Sequence, residues 1–112
     1  MSSTSIGREA ETHVAEYLKK QGYKLLAQNW RTRFCEIDLV MSMKSVVYFI
    51  EVKYRSRDGQ GSGLDYITSK KLKQMEYAAE IWMSKHNWKD DAQLAVVEMA
   101  GQMDSEPKLV LL

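Results

Sequence analysis

Two acidic residues and a lysine near the middle of the chain have a spacing that suits hydrolysis of a phosphodiester. Twelve residues separate Asp38 from Glu51, and Lys53 follows Glu51 after one residue. Carboxylate oxygens suit Mg²⁺ or Mn²⁺, whose remaining positions phosphate oxygens can occupy. A cation there would polarise a phosphoryl oxygen and activate a water, and Lys53 would orient that water or stabilise the developing charge. A solvated strand face with one weak ion pair has the same pattern, so the spacing alone leaves both interpretations open.

The first of the strands that must position these residues is predicted at residues 34–41, where apolar and polar residues alternate. Successive side chains of a strand point to opposite faces. Glu36 and Asp38 are therefore expected on the face opposite Ile37 and Leu39.

A second strand is predicted at residues 46–55, which are rich in β-branched and aromatic residues, with a hairpin turn at residues 42–45. Glu51 and Lys53 share one face of this strand, and the hairpin would bring Asp38 near them. Two ionised carboxylates about 4 Å apart repel by roughly 4 kcal/mol at an effective dielectric constant near 20. A divalent cation between Asp38 and Glu51 would remove that repulsion.

The other elements follow from helical spacing, turn residues and short apolar runs. Three of the six glycines fall at residues 56–63, which predicts a mobile loop. The predicted order is αβββαββ, an α/β (α+β) layout with a mixed central sheet flanked by helices. The predicted bounds are helices at 6–21, with Gly22 as the C-cap, and at 65–86, and strands at 23–29, 34–41, 46–55, 92–99 and 108–112.

Length and composition limit the class of protein. A chain of 112 residues with 45% hydrophobic and 28% charged residues is typical of one globular domain, here residues 1–112. One cysteine cannot form an intramolecular disulfide, and the first residues lack a secretory pattern, so we expect a cytoplasmic protein. Apolar runs fall far short of the roughly 20 residues that span a bilayer, so no membrane role is expected.

Charge is unevenly distributed although the formal net charge is +1. Residues 19–33 hold five basic and no acidic residues, residues 44–73 hold seven basic and three acidic, and residues 89–106 hold one basic and five acidic. Scattered solvated charge is one interpretation of these counts. The sharper one is a surface that faces phosphates, because phosphate neutralisation releases counterions and favours binding of nucleic acid.

Aromatic side chains offer another way to bind nucleic acid, by stacking on bases. The tryptophans Trp30, Trp82 and Trp88 are the candidates. Packing in the core or at a dimer interface is the role we expect for them.

Two motifs make the chain resemble a known family. Glu36-Ile-Asp38, followed by the segment Phe-Ile-Glu-Val-Lys-Tyr-Arg at residues 49–55, resembles the PD-(D/E)xK nuclease core. The chain looks most like the YraN family, small bacterial proteins with the restriction-endonuclease-like fold that are similar to archaeal Holliday-junction resolvases. The resemblance covers most of the chain. Its other matching positions are Gly7, Arg8, Glu11, residues 15–18, Gly22, Tyr23, residues 29–31, and residues 67–83 with Lys71.

The resemblance implies a role for individual residues. Asp38 and Glu51 would bind Mg²⁺ or Mn²⁺ together with the Val52 backbone carbonyl. Lys53 would be the catalytic lysine, and Glu11 would complete the acidic cluster as a second-metal ligand or through water. The charge distribution, and for two of them the resemblance, suggest these residues for nucleic-acid binding: Arg31, Arg33, Arg55, Arg57, Lys70 and Lys71. Because similar resolvases act as dimers, a homodimer is expected.

Three positions depart from the family pattern. Cys35 and Ala10 stand where the family usually has glycine, and Ala95 stands where it usually carries aspartate. None of these changes removes Asp38 or Glu51. The leading hypothesis is a metal-dependent endonuclease acting on branched or non-duplex DNA in repair or recombination. The alternatives are a catalytically inactive nucleic-acid-binding module of the same fold and a purely structural interaction domain.

Overall fold

The computed structural model describes residues 3–55, 67–100 and 106–112. The loop predicted at 56–63, with Arg57, lies outside these residues. Within them the element order is αβββαββ, as predicted. The elements are α1 (Ser3–Lys20), β1 (Lys24–Arg31), β2 (Glu36–Met43), β3 (Val46–Arg55), α2 (Ser69–Lys85), β4 (Asp91–Ala100) and β5 (Lys108–Leu111).

The strands form one sheet in the order β1-β2-β3-β4-β5. Neighbouring strands are antiparallel except for β3 and β4, which are parallel. A parallel pair needs a long crossover connection, and α2 lies in that connection. This mixed sheet with two helices confirms the predicted α+β, restriction-endonuclease-like arrangement. Among the described residues, no helix is long and apolar enough to cross a membrane.

Each helix builds a hydrophobic core with a different set of sheet residues. Apolar positions three or four residues apart on each helix form the stripe that is buried. The α1 core contains Ala10, Val14, Ala15 and Leu18 with Leu39, Met41, Ile50, Ala95, Val97 and Met99. The α2 core contains Met75, Ala78, Ala79 and Trp82 with Cys35, Ile37, Val40, Val47 and Phe49.

The bounds of α2 differ from the prediction at its start. Ile67 and Thr68 are not helical, and the helix begins at Ser69 rather than at residue 65. Thr68 has extended dihedral angles, φ −75° and ψ 164°, and its hydroxyl accepts a hydrogen bond from the Lys71 amide. This N-cap satisfies an amide that the first turn leaves unpaired, which fixes the helix start.

The strand β2 also begins later than predicted, because residues 32–35 form a hydrogen-bonded turn. The Thr32 amide donates to the Cys35 carbonyl at 2.7 Å. The Thr32 hydroxyl accepts from the amides of Phe34, at 3.2 Å, and Cys35, at 3.0 Å. Phe34 and Cys35 were predicted in the strand, and this turn places them before it.

Gly22 ends α1, as predicted. Its amide donates to the Lys19 carbonyl, and the Tyr23 amide donates to the Leu18 carbonyl. These two bonds are the Schellman motif, which requires a left-handed residue after the helix. Gly22 has φ 103°, a conformation that glycine adopts without steric cost.

We expect Gly22→Ala to lower the free energy of unfolding by about 1–2 kcal/mol, because a side chain at this φ is strained. A Cβ at position 22 would lie 3.6 Å from the Met43 Cε, so space is sufficient and the cost comes from the backbone. Urea denaturation measures the change. The matched control is Gly7→Ala, inside α1 with no atom within 4 Å of the added Cβ. This substitution should raise the free energy of unfolding by roughly 0.5–1 kcal/mol. Equal effects of the two substitutions would contradict this account.

Candidate metal centre

The candidate site lies where β2 and β3 separate. Their ladder ends with Leu39 opposite Ile50. Beyond this pair β2 continues along β1, and β3 continues along β4. The next register position would set Asp38 opposite Glu51, and there the Val52 amide donates to the Asp38 Oδ2 at 2.8 Å. A side chain thus replaces the backbone ladder, and both carboxyl groups lie where the strands part.

The alternation of side chains along β2 is interrupted at this point. Ile37 belongs to the α2 core and Leu39 to the α1 core, so the prediction that these two residues share a face was wrong. Asn29 lies opposite Asp38, between the pairs Gln28–Leu39 and Trp30–Ile37, and has φ 53°. A left-handed residue lies outside the β region, and the regular pleat cannot continue through it.

Three carboxyl groups meet beside this interruption. One carboxylate oxygen each of Glu11, Glu36 and Asp38 lies within 4.8 Å of the other two. We call these three residues the acidic cluster. Glu11 comes from α1, where it is buried, and the other two are the first and third residues of β2. The structure therefore brings predicted Glu11 and Asp38 together, and adds Glu36.

Asn29 holds two of these carboxylates in place. Its Nδ2 donates to the Glu11 Oε1 at 2.7 Å and to the Glu36 Oε1 at 3.1 Å. Arg31 Nε donates to the Glu36 Oε2 at 2.7 Å, and Arg8 donates to the Asn29 Oδ1. A fixed amide and a guanidinium reduce the repulsion and orient the oxygens.

Glu36 and Asn29 are site residues that sequence reasoning missed. For Glu36 a clue existed, since the period of two placed it on the same face as Asp38. For Asn29 the hydrophobic pattern held no clue, because a single left-handed residue does not change the periodicity, and only the family resemblance at residues 29–31 marked this position.

Two lysines face Glu51, which is buried. Lys71 Nζ lies 3.1 Å from the Glu51 Oε2, and Lys53 Nζ lies 4.0 Å from the same oxygen. Burial alone would lower the pKa of Lys71, but the neighbouring Glu51 carboxylate raises the pKa above its usual value. Lys71 is thus an ion-pair partner of Glu51, whereas Lys53 is near Glu51 without a short contact.

Asp38 is the residue of the site whose pKa is shifted most. Burial, then a hydrogen bond and the negative charge of Glu51, raises the pKa of Asp38 to about 9, against the opposing effect of the Val52 amide. A carboxylate among other buried carboxylates is unfavourable when ionised. The site therefore offers carboxylate oxygens, the ligands that hard cations prefer, so its residues fit Mg²⁺ or Mn²⁺.

The predicted nucleic-acid-binding residues fall into three groups. Arg31 is paired with Glu36, and Lys71 with Glu51, at the site itself. Arg33 and Lys70 are exposed nearby. The side chain of Arg55 and all of Arg57 lie outside the part of the chain that the structure describes.

The positions that depart from the family pattern are packing residues here. Ala95 and Ala10 are buried in the α1 core. Cys35 is buried in the α2 core, and its burial raises the pKa of the thiol. Trp82 is also buried there, and Trp30 and Trp88 pack against it partly buried, so the expectation of a packing role is confirmed for the three tryptophans.

The element order and the mixed five-stranded sheet place this chain among α+β proteins with a restriction-endonuclease-like arrangement. The model of a family described as "Uncharacterised protein family UPF0102" matches residues 10–100. A UPF0102 protein of Pseudomonas putida is 45% identical over 84 residues, 75% of this chain and 68% of the relative. One of Vibrio parahaemolyticus is 38% identical over 84 residues, with 75% and 69% covered. One of Pseudomonas entomophila is 40% identical over 103 residues, with 90% and 84% covered.

The chain therefore belongs to family UPF0102, and the resemblance to the YraN family is confirmed.

The raised pKa of Asp38 predicts a pH-dependent stability. The folded protein keeps a proton on Asp38 that the unfolded chain releases above about pH 4. The stability that this proton contributes is present at low pH and is lost as the pH rises toward 9. In buffer with a chelator, we expect Asp38→Asn to be more stable than the original protein by on the order of 2–4 kcal/mol at pH 8, and much less so at pH 5.

Denaturation curves at pH 5–9 measure this difference. The Asn amide can donate to Glu51 and its oxygen can accept from the Val52 amide, so the fold should persist. Asp90→Asn, at an exposed position, is the control and should leave the pH profile unchanged. Parallel profiles for Asp38→Asn and the original protein would contradict the assignment.

Proposed function

We propose that this protein is a metal-dependent nuclease that hydrolyses phosphodiester bonds in DNA. The observation that carries the proposal is the convergence of the acidic cluster and Glu51, with Lys53 and Lys71 beside Glu51. A solvated strand face would leave Glu51 exposed, and its carboxylates would have ordinary pKa values. Here Glu51 is buried and the pKa of Asp38 is strongly raised, which is the pattern of a functional site.

Asp38 and Glu51 would hold Mg²⁺ or Mn²⁺, with the Val52 backbone carbonyl as a further ligand. Glu11 and Glu36 would act as ligands of a second ion or through water. When bound, the cation would polarise a phosphoryl oxygen and lower the pKa of a water molecule. The Asn29 amide would keep the Glu11 and Glu36 carboxylates oriented for that role.

The two lysines would have different roles. Lys71, whose Nζ lies 3.1 Å from the Glu51 Oε2, would pair with this carboxylate and fix its rotamer. Lys53, at 4.0 Å and partly exposed, has hydrogen-bond donors that are not held in a short contact with Glu51. Its ammonium group would donate to the attacking water or to the phosphate oxygen on which charge develops. Lys53 is thus proposed as the catalytic lysine and Lys71 as a positioning residue.

The substrate class is proposed as branched or otherwise non-duplex DNA, in repair or recombination. Basic residues beside the site, including Arg31, Arg33 and Lys70, support a polyanionic substrate. The choice of branched DNA rests on the resemblance to Holliday-junction resolvases. A homodimer would present two sites to such a two-fold substrate.

A DNA-binding module without turnover is the second candidate. Ala95 is fully buried on β4, next to Ile50 of β3, so this strand supplies no carboxylate at the position where the family usually carries aspartate. The acidic cluster and Glu51 remain, which favours the nuclease.

Cleavage of labelled DNA separates the two candidates. The substrates are duplex, single-stranded, flap and four-way-junction DNA, each with Mg²⁺ or Mn²⁺. We expect Glu51→Gln and Lys53→Met each to lower the cleavage rate by at least about 100-fold, the usual effect of losing a group that stabilises the transition state. A chelator should abolish cleavage by the original protein.

The matched controls are Glu76→Gln and Lys89→Met, which make the same changes at exposed positions and should cleave normally. Cleavage by both site variants at the normal rate would overturn the nuclease assignment. DNA binding without cleavage in either metal would favour the binding module.

A further inference from the structure

A concave surface lies on α2 beside the candidate site. It combines the turn at residues 32–35 with the first turns of the helix and encloses about 620 Å³. The residues that line it are Phe34, Ser69, Lys70, Lys73, Gln74 and Tyr77. We call the pair of rings in it, Phe34 and Tyr77, the aromatic platform.

Both rings of the aromatic platform are exposed to solvent. Phe34 is 61% exposed and Tyr77 is 47% exposed. Their centroids lie 6.0 Å apart with a tilt of 56°, and the Arg33 guanidinium carbon lies 5.7 Å from the Phe34 centroid. Large aromatic side chains are usually highly buried. These two form an exposed π surface, and the Arg33 guanidinium lies over the Phe34 ring.

The turn that carries Phe34 is held in one conformation. The Thr32 amide donates a hydrogen bond to the Cys35 carbonyl. The Thr32 hydroxyl accepts hydrogen bonds from the amides of Phe34 and Cys35. Cys35 is buried in the α2 core. Tyr77 stands on α2, next to buried Ala78. The platform therefore needs little further ordering before it binds a ligand, which lowers the entropic cost of binding.

The charge around the platform indicates the class of ligand. Among the described residues, its lining holds two lysines, Lys70 and Lys73, and no acidic residue. Lysine is depleted at the centres of protein–protein interfaces. Rings flanked by positive charge are instead typical of grooves for single-stranded nucleic acid, where bases stack on the rings and cations meet the phosphates.

The platform and the candidate metal centre are formed by neighbouring residues of the chain. Lys71 lies between the two lining lysines along α2, and its ammonium group contacts Glu51 at 3.1 Å. In the turn at residues 32–35, Phe34 is two residues before Glu36 of the acidic cluster. A nucleotide on the platform would therefore lie next to the residues that meet the scissile phosphate.

We propose that the aromatic platform binds an unpaired nucleotide of the substrate by stacking, and so selects DNA with single-stranded or extruded bases beside the cut. This inference rests on the proposed nuclease function and names the substrate feature that it recognises. Stacked bases lie about 3.4 Å apart, so a base between the two rings would need them about twice that distance apart and parallel. The observed tilt excludes that arrangement, and the base stacks on the open side of the platform.

The test measures DNA affinity in a chelator, where no cleavage occurs. Fluorescence anisotropy gives the Kd for a single strand, for the matching duplex, and for a duplex with one bulged 2-aminopurine, whose fluorescence falls on stacking. The variants Phe34→Leu and Tyr77→Leu keep apolar volume and remove the π face. Phe34→Tyr and Tyr77→Phe keep the rings and are the matched controls.

We expect each leucine variant to bind the single strand and the bulged duplex about 5- to 100-fold more weakly, and to lose the 2-aminopurine response. Affinity for the continuous duplex should change less than about twofold, since phosphate contacts dominate there. The conservative variants should bind as the original protein does. Both positions are exposed, so the variants should fold, and far-UV circular dichroism verifies this.

Unchanged single-strand affinity of the leucine variants, or equal losses on single strand and duplex, would overturn the proposal. The proposal would also be overturned if the leucine variants changed the oligomeric state, measured by sedimentation velocity, while DNA binding stayed intact. The platform would then be a protein interface. Failure of the proposed nuclease is distinguishable: stacking would then persist in the chelator while no metal supports cleavage. If the original protein binds no DNA at all, both proposals fall.

Discussion

The mutual repulsion of buried and partly buried carboxyl groups is the constraint on which the site depends. The acidic cluster and Glu51 converge where β2 and β3 part, and their mutual repulsion is reduced in three ways. Asn29 donates to Glu11 and Glu36, Lys71 pairs with Glu51, and a raised pKa keeps a proton on Asp38. Burying ionisable groups costs free energy unless they are paired. A cation bound by these carboxylate oxygens would reduce this cost.

The sheet creates this arrangement by letting two strands diverge. The β2–β3 ladder stops at Leu39 and Ile50, while β1 and β4 continue to support the separated strands. The Val52 amide is satisfied by Asp38, so the opening leaves this backbone donor paired. The helix on each face of the sheet then contributes a residue of opposite charge to the site, because Glu11 comes from α1 and Lys71 from α2. The two helices thus form the core and also complete the site from opposite sides.

The sequence predicts much of the fold, because hydrophobic periodicity and turn residues are local properties. The order of elements, the Gly22 cap and the full extent of β3 were predictable, and so was the approach of Asp38 to Glu51 through the hairpin. The role of Asn29 was not, since one left-handed residue at φ 53° interrupts the alternation without changing composition. The exposure of Phe34 was missed for a related reason. Its apolar character suits a strand, and only the hydrogen bonds of Thr32 place it in a turn.

The most direct test of the account is the number of protons that metal binding releases, measured by titration calorimetry in buffers of different ionisation enthalpy. If Mn²⁺ displaces the proton that Asp38 holds, binding at pH 7 should release close to one proton, because metal ligands must be deprotonated. Asp38→Asn should remove that release. Mn²⁺ binding without proton release, or no binding by the original protein, would contradict the account.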